Sequence, residues 1–478
     1  MRSSPNLAAT SMVSRDSSAS LVEQIVHSVT CRIDDKLLRT GSRMPSIRQF
    51  ADEQKVSRFT VVEAYDRLVA NGYLESRRGS GFFVRERASL LKHTNIVSPT
   101  IPTSQHPDVV WLIRNMFRQL PPQKMPGSGL LPHEWLDGEL VANGLRSVSR
   151  LNQNLLLHYG TQQGFLPLRQ QLQLKLAEIE VACAPEQIVM TNGVTQALDL
   201  VAREFTQAGD TIFVDDPAWF LMFGTFATLG LKLIGIPRLH DGPDVSKLAE
   251  LAALHKPKLY IVHSVLHNPT STSLSAAKAF QILKTAELHD FMIVEDDIYC
   301  DLHPGSSVQP ATRLAALDQL NRVIYLGGFS KTLAANLRVG FIATSPDTAI
   351  RLSDRKMLST LTTNEISERV VHKILSEGHY RKHVDRIRVK LDGARNEVTA
   401  KVEKLGMKVE YRTPAGMFLW VETGVDTIAL TEKALEQGIL IAPGSLFSPH
   451  QLPSTHMRLN VAALSDESVW RFFKNELN

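Results

Sequence analysis

Arg322-Val323-Ile324-Tyr325-Leu326-Gly327-Gly328-Phe329-Ser330-Lys331 runs from a β-rich apolar stretch, through two glycines, onto a lysine. Four similar runs precede it: Ile188-Val189-Met190, Thr211-Ile212-Phe213-Val214, Leu259-Tyr260-Ile261-Val262 and Phe291-Met292-Ile293-Val294. Helical stretches separate them. This alternation predicts an α/β domain with a largely parallel sheet. In such sheets ligands bind beyond the carboxyl ends of the strands. Polar residues follow most of these runs at once, so the same places are the candidate site.

Length and composition set the frame. At 478 residues the chain exceeds the usual size of one core, so two or more domains are expected. No apolar run approaches the roughly 18 residues of a membrane span, and no membrane partner is expected. Met1 to Ser20 is Ser-rich, with Arg2 and Arg15 but no hydrophobic stretch, so it does not read as a secretory signal. Residues 1–16 read as a disordered arm. Cys31, Cys183 and Cys300 lack metal-ligand spacing, and their odd number argues against a disulfide framework. They point to a reducing cytoplasm and to no metal. The net charge of +4 is mild, so any nucleic-acid contact must come from a local patch.

Residues 17–86 supply that patch. Leu21, Val22, Ile25, Val26, Val29 and Ile33 recur at helical spacing. Thr40-Gly41-Ser42 stops this helix, and Ser46 caps a second with Ile47, Phe50 and Ala51 inward. Ser57 caps a third, with Val61, Ala64, Tyr65, Leu68 and Val69 inward, ended by Asn71-Gly72. Tyr73–Ser76 and Gly81–Val84 read as strands of a wing around Arg77-Arg78-Gly79-Ser80. Arg58 and Thr60 fall in the first turn of the third helix, the part of a recognition helix that reaches base edges. Arg48 suits phosphate; Arg78 and Gly79 at the wing tip suit phosphate or the minor groove. Each arginine alone is as readily a solvated surface charge, but the order helix, helix, helix, wing places all of them usefully. Pro45-Ser46-Ile47-Arg48, Val56-Ser57-Arg58-Phe59-Thr60-Val61 and Gly79-Ser80-Gly81-Phe82-Phe83-Val84 together resemble the GntR family of winged-helix regulators. Phe59 departs from that pattern, where a small or polar residue is usual. A thymine methyl is the partner expected for it.

Residues 87–107, punctuated by Pro99, Pro102 and Pro107, read as a linker. The body follows over residues 108–478. Thr191-Asn192-Gly193-Val194-Thr195-Gln196 joins a strand to a helix expected over Ala197 to Phe205; a glycine turn at a helix start offers amides to a phosphate. Asp296 follows Phe291–Val294 and can hold a pyridinium N–H. Tyr299 and Asn268 can bond a ring oxygen. A lysine placed like Lys331 can form a Schiff base with pyridoxal phosphate, with Ser330 and Arg338 flanking the phosphate. Taken singly, Asp296 could be a helix cap, Tyr299 core and Lys331 surface.

In this order the residues resemble the class I aminotransferase family of fold-type I pyridoxal-phosphate enzymes over essentially the whole body. The resemblance implies Lys331 as the Schiff-base lysine and Asp296 as partner of the pyridine nitrogen. It also implies Tyr299 and Asn268 on the ring hydroxyl, Trp219 stacked on the ring, and Val194 and Thr195 in the phosphate loop. Tyr159 resembles the tyrosine that reaches a neighbouring subunit's phosphate. Arg458, in Met457-Arg458-Leu459-Asn460, resembles the arginine that clamps a substrate carboxylate bidentately. There are departures. Gly328 stands where a Ser or Thr hydroxyl usually meets phosphate, Val194 also lacks a hydroxyl, and Ser271 replaces the glycine common after Asn-Pro-Thr.

A GntR-type head on such a body resembles the MocR subfamily of regulators. This implies a homodimer, domain-swapped head to tail, on double-stranded operator DNA, with an amino-acid-like effector. Two heads on a two-fold dimer should read repeated or inverted half-sites. The competing readings are a working aminotransferase with an autoregulatory head, and a regulator that has lost the cofactor and uses its body only to dimerise.

Overall fold

Three serine-capped helices open the described part of the chain: α1 (Leu21–Asp34), α2 (Ile47–Gln54) and α3 (Arg58–Ala70). The computed structural model describes residues 19–85, 110, 114, 115, 120–151, 153–305 and 311–477. The expected arm (1–16) and linker (87–107) lie outside them. The chain divides into a head and a body between residues 102 and 103.

In the head, Ser20 and Glu23 form a reciprocal capping box. The Gln49 amide donates to Ser46 Oγ and the Thr60 amide to Ser57 Oγ, at 3.2 and 3.0 Å. Each cap satisfies one donor that a helix start leaves over. The apolar faces meet around Tyr65, whose ring packs edge-on to Phe50 and Phe82 and whose hydroxyl donates to the Pro45 carbonyl. Strands β1 (Leu74–Arg77) and β2 (Gly81–Val84) pair antiparallel as the wing. Arg77 is therefore the last residue of a strand, not part of the tip. Its guanidinium pairs with Glu75 and lies over the Phe83 ring, at 4.5 Å.

The body's main sheet uses β3 (Ile188–Thr191), β4 (Thr211–Asp216), β5 (Lys232–Leu239), β6 (Gly242–Pro243), β7 (Leu259–Val262), β8 (Met292–Asp296), β9 (Val323–Gly328) and β10 (Gly340–Ala343). Their order is β3-β10-β9-β8-β7-β4-β5-β6. The run from β9 to β5 is parallel; β10 and β6 are antiparallel to their neighbours. All five expected runs are strands. Side chains alternate between two cores, as a period of two requires. Val189, Val214, Ile261, Val294 and Ile324 lie in one core. Met190, Phe213, Tyr260, Ile293 and Val323 lie in the other. Burial on both faces explains why these strands read as continuous apolar runs.

A second antiparallel sheet follows, β11 (Lys408–Val409), β12 (Phe418–Glu422), β13 (Ala442–Pro443) and β14 (His456–Asn460), in the order β11-β12-β14-β13. Arg458 sits on β14, opposite Trp420 on one side and Ala442 on the other. Its backbone is fixed from both flanks.

Replacing Ser46 with alanine should cost about 1 kcal/mol of head stability. Hydrogen exchange on the full chain should show α2 amides opening about fivefold more often, with the body's strands unchanged.

Candidate cofactor and DNA-reading sites

Three consecutive carboxyls, Glu295 and Asp296 at the end of β8 and Asp297 just beyond it, are all buried. The two flanking ones find their partners on the face opposite Asp296, although Asp297 Oδ1 is left without a hydrogen bond. Glu295 accepts the Leu314 and Ala315 amides, at 2.8 Å each, and the Ser264 hydroxyl. Asp297 pairs with Arg313 at 2.5 Å and accepts from Tyr325. Asp296 points with Val294 and takes only the Ile298 amide, at 3.1 Å. Burial raises its carboxyl to about 7, against the pull of that amide and of Lys331. A buried carboxyl so thinly served suits a cationic N–H donor.

The cavity beside it is walled by every predicted cofactor residue except Tyr159: Asp296, Tyr299, Asn268, Trp219, Val194, Thr195, Ser330, Lys331 and Arg338. Asn268 Nδ2 donates to the Tyr299 hydroxyl at 3.2 Å, which brings the two ring-oxygen candidates together. Lys331 Nζ donates to the Gly129 carbonyl at 3.0 Å and lies 5.9 Å from the Tyr299 ring centre. Burial, assisted by repulsion from Arg458, brings its ammonium down to about 8; Asp296 pulls the other way. Such a lysine spends far more time as a free amine than an ordinary one near pKa 10.4.

The wall expected to meet a phosphate is mostly backbone. The helix Val194–Phe205 starts three residues earlier than expected, on Gly193 at φ +79° with no side-chain cap. Its first amides are therefore available to an anion. A Cβ on Gly193 would come within 2.5 Å of Arg338 Nη2. Arg338 donates to the Asn192 carbonyl at 2.9 Å and reaches Ser330 Oγ at 3.5 Å. Gly328 is tightly enclosed: a Cβ would lie 3.1 Å from Ile298 Cδ1 and from the Val339 carbonyl. The missing hydroxyl is thus matched by missing room. A helix start, an arginine, an underserved carboxyl and a lowered lysine together fit pyridoxal phosphate.

Arg458 adjoins this cavity and is 1% exposed. Nη1 donates to Asn268 Oδ1 at 2.9 Å, Nη2 to the Gly127 carbonyl at 2.5 Å, and Nε has no partner. The Phe418 and Phe447 rings lie 4.5 and 5.0 Å from its guanidinium carbon. Among the described residues, no carboxylate forms an ion pair with it. Burial lowers it to about 10.

Sequence reasoning missed the strap that crosses these groups. Gly127 and Gly129 give carbonyls to Arg458 and Lys331, while Asn460 Nδ2 donates to the Ser128 and Leu130 carbonyls at 3.1 and 2.7 Å. Backbone partners leave no spacing signal. It also missed His263, which lines the cavity 3.5 Å from Asp296. Tyr159 does not line the cavity and is 81% exposed. A larger depression behind β9, lined by Lys175, Asp301 and Arg313, holds charges already paired internally. Among the described residues, no group of three or more His, Cys, Asp or Glu could hold a metal ion, and no helix is long and apolar enough to cross a membrane.

On the head, Arg48, Ser57, Arg58, Arg78 and Gly79 are exposed, and Thr60 is half-buried. The Ser57 and Thr60 hydroxyls bond each other at 2.8 Å, so they position the start of α3. Arg58 is left to reach outward. Phe59 is 76% exposed beside it. Arg43, not anticipated, bridges to Phe83 of the wing and adds an exposed cation there.

Residues 21–84 match the family of bacterial regulatory proteins, gntR family, and residues 128–474 match aminotransferase class I and II. The HTH-type transcriptional regulator YdfD of Bacillus subtilis (strain 168) is 28% identical over 457 residues, covering 93% of each chain. The probable rhizopine catabolism regulatory protein MocR of Rhizobium meliloti is 27% identical over 380 residues, 79% of this chain and 76% of its own. A crystal structure of Pyrococcus horikoshii kynurenine aminotransferase in complex with PMP superimposes with a TM-score of 0.69 at 27% identity, over 76% of this chain and 91% of that one.

The lowered lysine gives a test by pH. Covalent capture of pyridoxal phosphate by the apo-protein, followed by visible absorbance, should accelerate as pH rises through about 8 and level off above it. Only the unprotonated amine attacks. Lys331→Ala should show no such band at any pH.

Proposed function

Because the chain belongs to the aminotransferase class I and II family and carries a gntR-family head, we propose that its body senses an amino-acid-like effector through pyridoxal phosphate and thereby governs the head's grip on DNA. The chain is a DNA-binding transcriptional regulator of the MocR type with an aminotransferase-like body. The observation that carries the sensing role is Arg458: a buried cation, with no carboxylate paired to it among the described residues, beside the cofactor cavity.

Pyridoxal phosphate, when bound, supplies a carbon that amines attack and a ring that withdraws electrons. Asp296 would hold its ring nitrogen, Tyr299 and Asn268 its ring oxygen, and Trp219 its face. Val194, Thr195, Ser330 and Arg338 would hold its phosphate. Tyr159, turned outward on its own chain, would complete that grip in a second copy of a domain-swapped dimer.

Arg458 serves an effector carboxylate. Its two forked donors now satisfy Asn268 and Gly127. A carboxylate makes the stronger, charge-assisted partner and competes for Nη2 with the Gly127 carbonyl. An effector amine would compete with Lys331 for the cofactor's carbon and free the lysine to donate to the Gly129 carbonyl. Both events act on one strap, Gly127–Leu130, which lies in sequence on the side of the body that leads back to the head. Arg48, Arg58, Arg78, Ser57, Thr60 and Gly79 are the DNA-contacting set, with Arg58 reading bases. The setting is the cytoplasm, where operator DNA is. Slow transamination is the second reading, favoured by the joint presence of Lys331, Asp296 and Arg458.

Arg58→Ala should abolish operator binding in a gel-shift assay and leave the visible cofactor band intact. Arg458→Gln should keep both DNA binding and the band, yet weaken the spectral response to amino acids by roughly tenfold or more, the worth of a charge-assisted hydrogen bond. An unchanged response would remove Arg458 from the effector site. Turnover of an amino donor by the wild-type protein, absent in Lys331→Ala, would establish the enzymatic reading.

A further inference from the structure

His263 follows β7 directly and is 2% exposed, yet neither ring nitrogen makes a hydrogen bond. A buried imidazole without partners is costly to keep, so its neighbours indicate its use. Nε2 lies 3.5 Å from Asp296 Oδ2, in reach but too long for a good hydrogen bond. The other carboxyl oxygen of Asp296 takes the Ile298 amide. From the remaining elements, His267 stands edge-on to it at 5.6 Å and Tyr299 lies tilted at 6.3 Å. Asp215 of β4, Arg238 of β5 and Asp297 act on it electrostatically. Asp215 is already paired with Arg238 and accepts the Tyr260 hydroxyl, and Asp297 is paired with Arg313. Asp297 Oδ1 is unbonded, but that carboxyl is engaged with Arg313 and Tyr325; Asp296 is the carboxyl within reach of the His263 ring.

We propose that His263 is a positioning residue for the cofactor, a neutral N–H donor that closes on Asp296 Oδ2 and keeps that carboxylate ionised toward the ring nitrogen. Its neutrality follows from where it sits. Burial and Arg238 hold the imidazolium down to about 4, so His263 stabilises the anion without adding a charge to compete with the pyridinium. Lysine or arginine at this position would pair with Asp296 outright and remove its attraction for the ring. A donor of this kind suits an electron-withdrawing ring that must stay protonated inside an apolar wall. The inference rests on the cofactor reading above and concerns only how firmly the ring nitrogen is held.

The test compares His263→Leu, which removes the donor, with His263→Gln, which keeps an N–H. Two readouts apply: the pH midpoint of the visible band in the loaded protein, and the affinity of the apo-protein for pyridoxal phosphate by quenching of tryptophan fluorescence. The leucine variant should raise the midpoint by about one pH unit and weaken affinity about tenfold, as loss of one hydrogen bond to a charged group implies. Glutamine should recover most of both. If leucine prevents folding, the glutamine variant is set against His263→Met, which also lacks a donor. Equal shifts in the donor-bearing and donor-free variants, or no shift in either, overturn the proposal, because a space-filling role predicts just that. A wild-type protein without a visible band would instead refute the cofactor reading itself.

Discussion

The guanidinium of Arg458 is held inside the body against aromatic rings, with one nitrogen unbonded and no ion pair among the described residues. Taking such a cation out of water costs several kcal/mol after relaxation. Cation–π contacts return about 2 kcal/mol or less each, and its two neutral acceptors return less than a carboxylate would. The fold must therefore hold this charge in place, and it does so through β14, paired on both sides. Asp296 is the complementary case, a buried carboxyl served by one amide. Both groups lack the ionic partner that burial ordinarily demands.

The main sheet delivers these groups by parity. Because side chains alternate, Glu295 and Asp297 are spent on the far face, where Leu314, Ala315 and Arg313 meet them. Asp296 alone is turned to the cavity. Parallel strands put the ends of β7, β8 and β9 side by side, so His263, Asp296 and the Lys331 loop converge although distant in sequence. The wall expected to meet a phosphate is built instead from a helix start at Gly193 and from Arg338 at positive φ.

How much of this was legible depended on whether the signal was local. The head's caps and apolar spacing are local, and Ser46, Ser57 and Tyr65 do what the pattern says. The five apolar runs are local too. β5 was not anticipated because Gly235 and Pro237 interrupt it, and β10 because only Phe341 and Ile342 in it carry a strand signal. The small sheet was missed for the same reason: two of its strands have two residues each. Lys331, Asp296, Tyr299 and Asn268 were found by their order along the chain, Trp219 and Val194 only through the family resemblance. The strap and His263 were not, since Gly127 meets Arg458 across 331 positions and a lone histidine more often marks core. Tyr159 is turned outward on its own chain, away from the cavity.

Ser271 shows how the two sheets are made to act together. It stands at φ +55°, a conformation that disfavours any side chain, in the loop that carries Asn268. Its hydroxyl donates to the Phe418 carbonyl at 2.9 Å and accepts the Phe418 amide at 3.3 Å. A Cβ on Gly416 would strike that hydroxyl at 2.5 Å, so the approach needs glycine there. Phe418 is the residue whose ring underlies Arg458. Glycine at 271 would relieve the backbone and lose both bonds. The chain accepts strain of about 1–2 kcal/mol and gains a direct tie between the loop at the cofactor and the strand behind the carboxylate arginine. Movement of the small sheet must therefore pull on Asn268, which bonds both Arg458 and Tyr299.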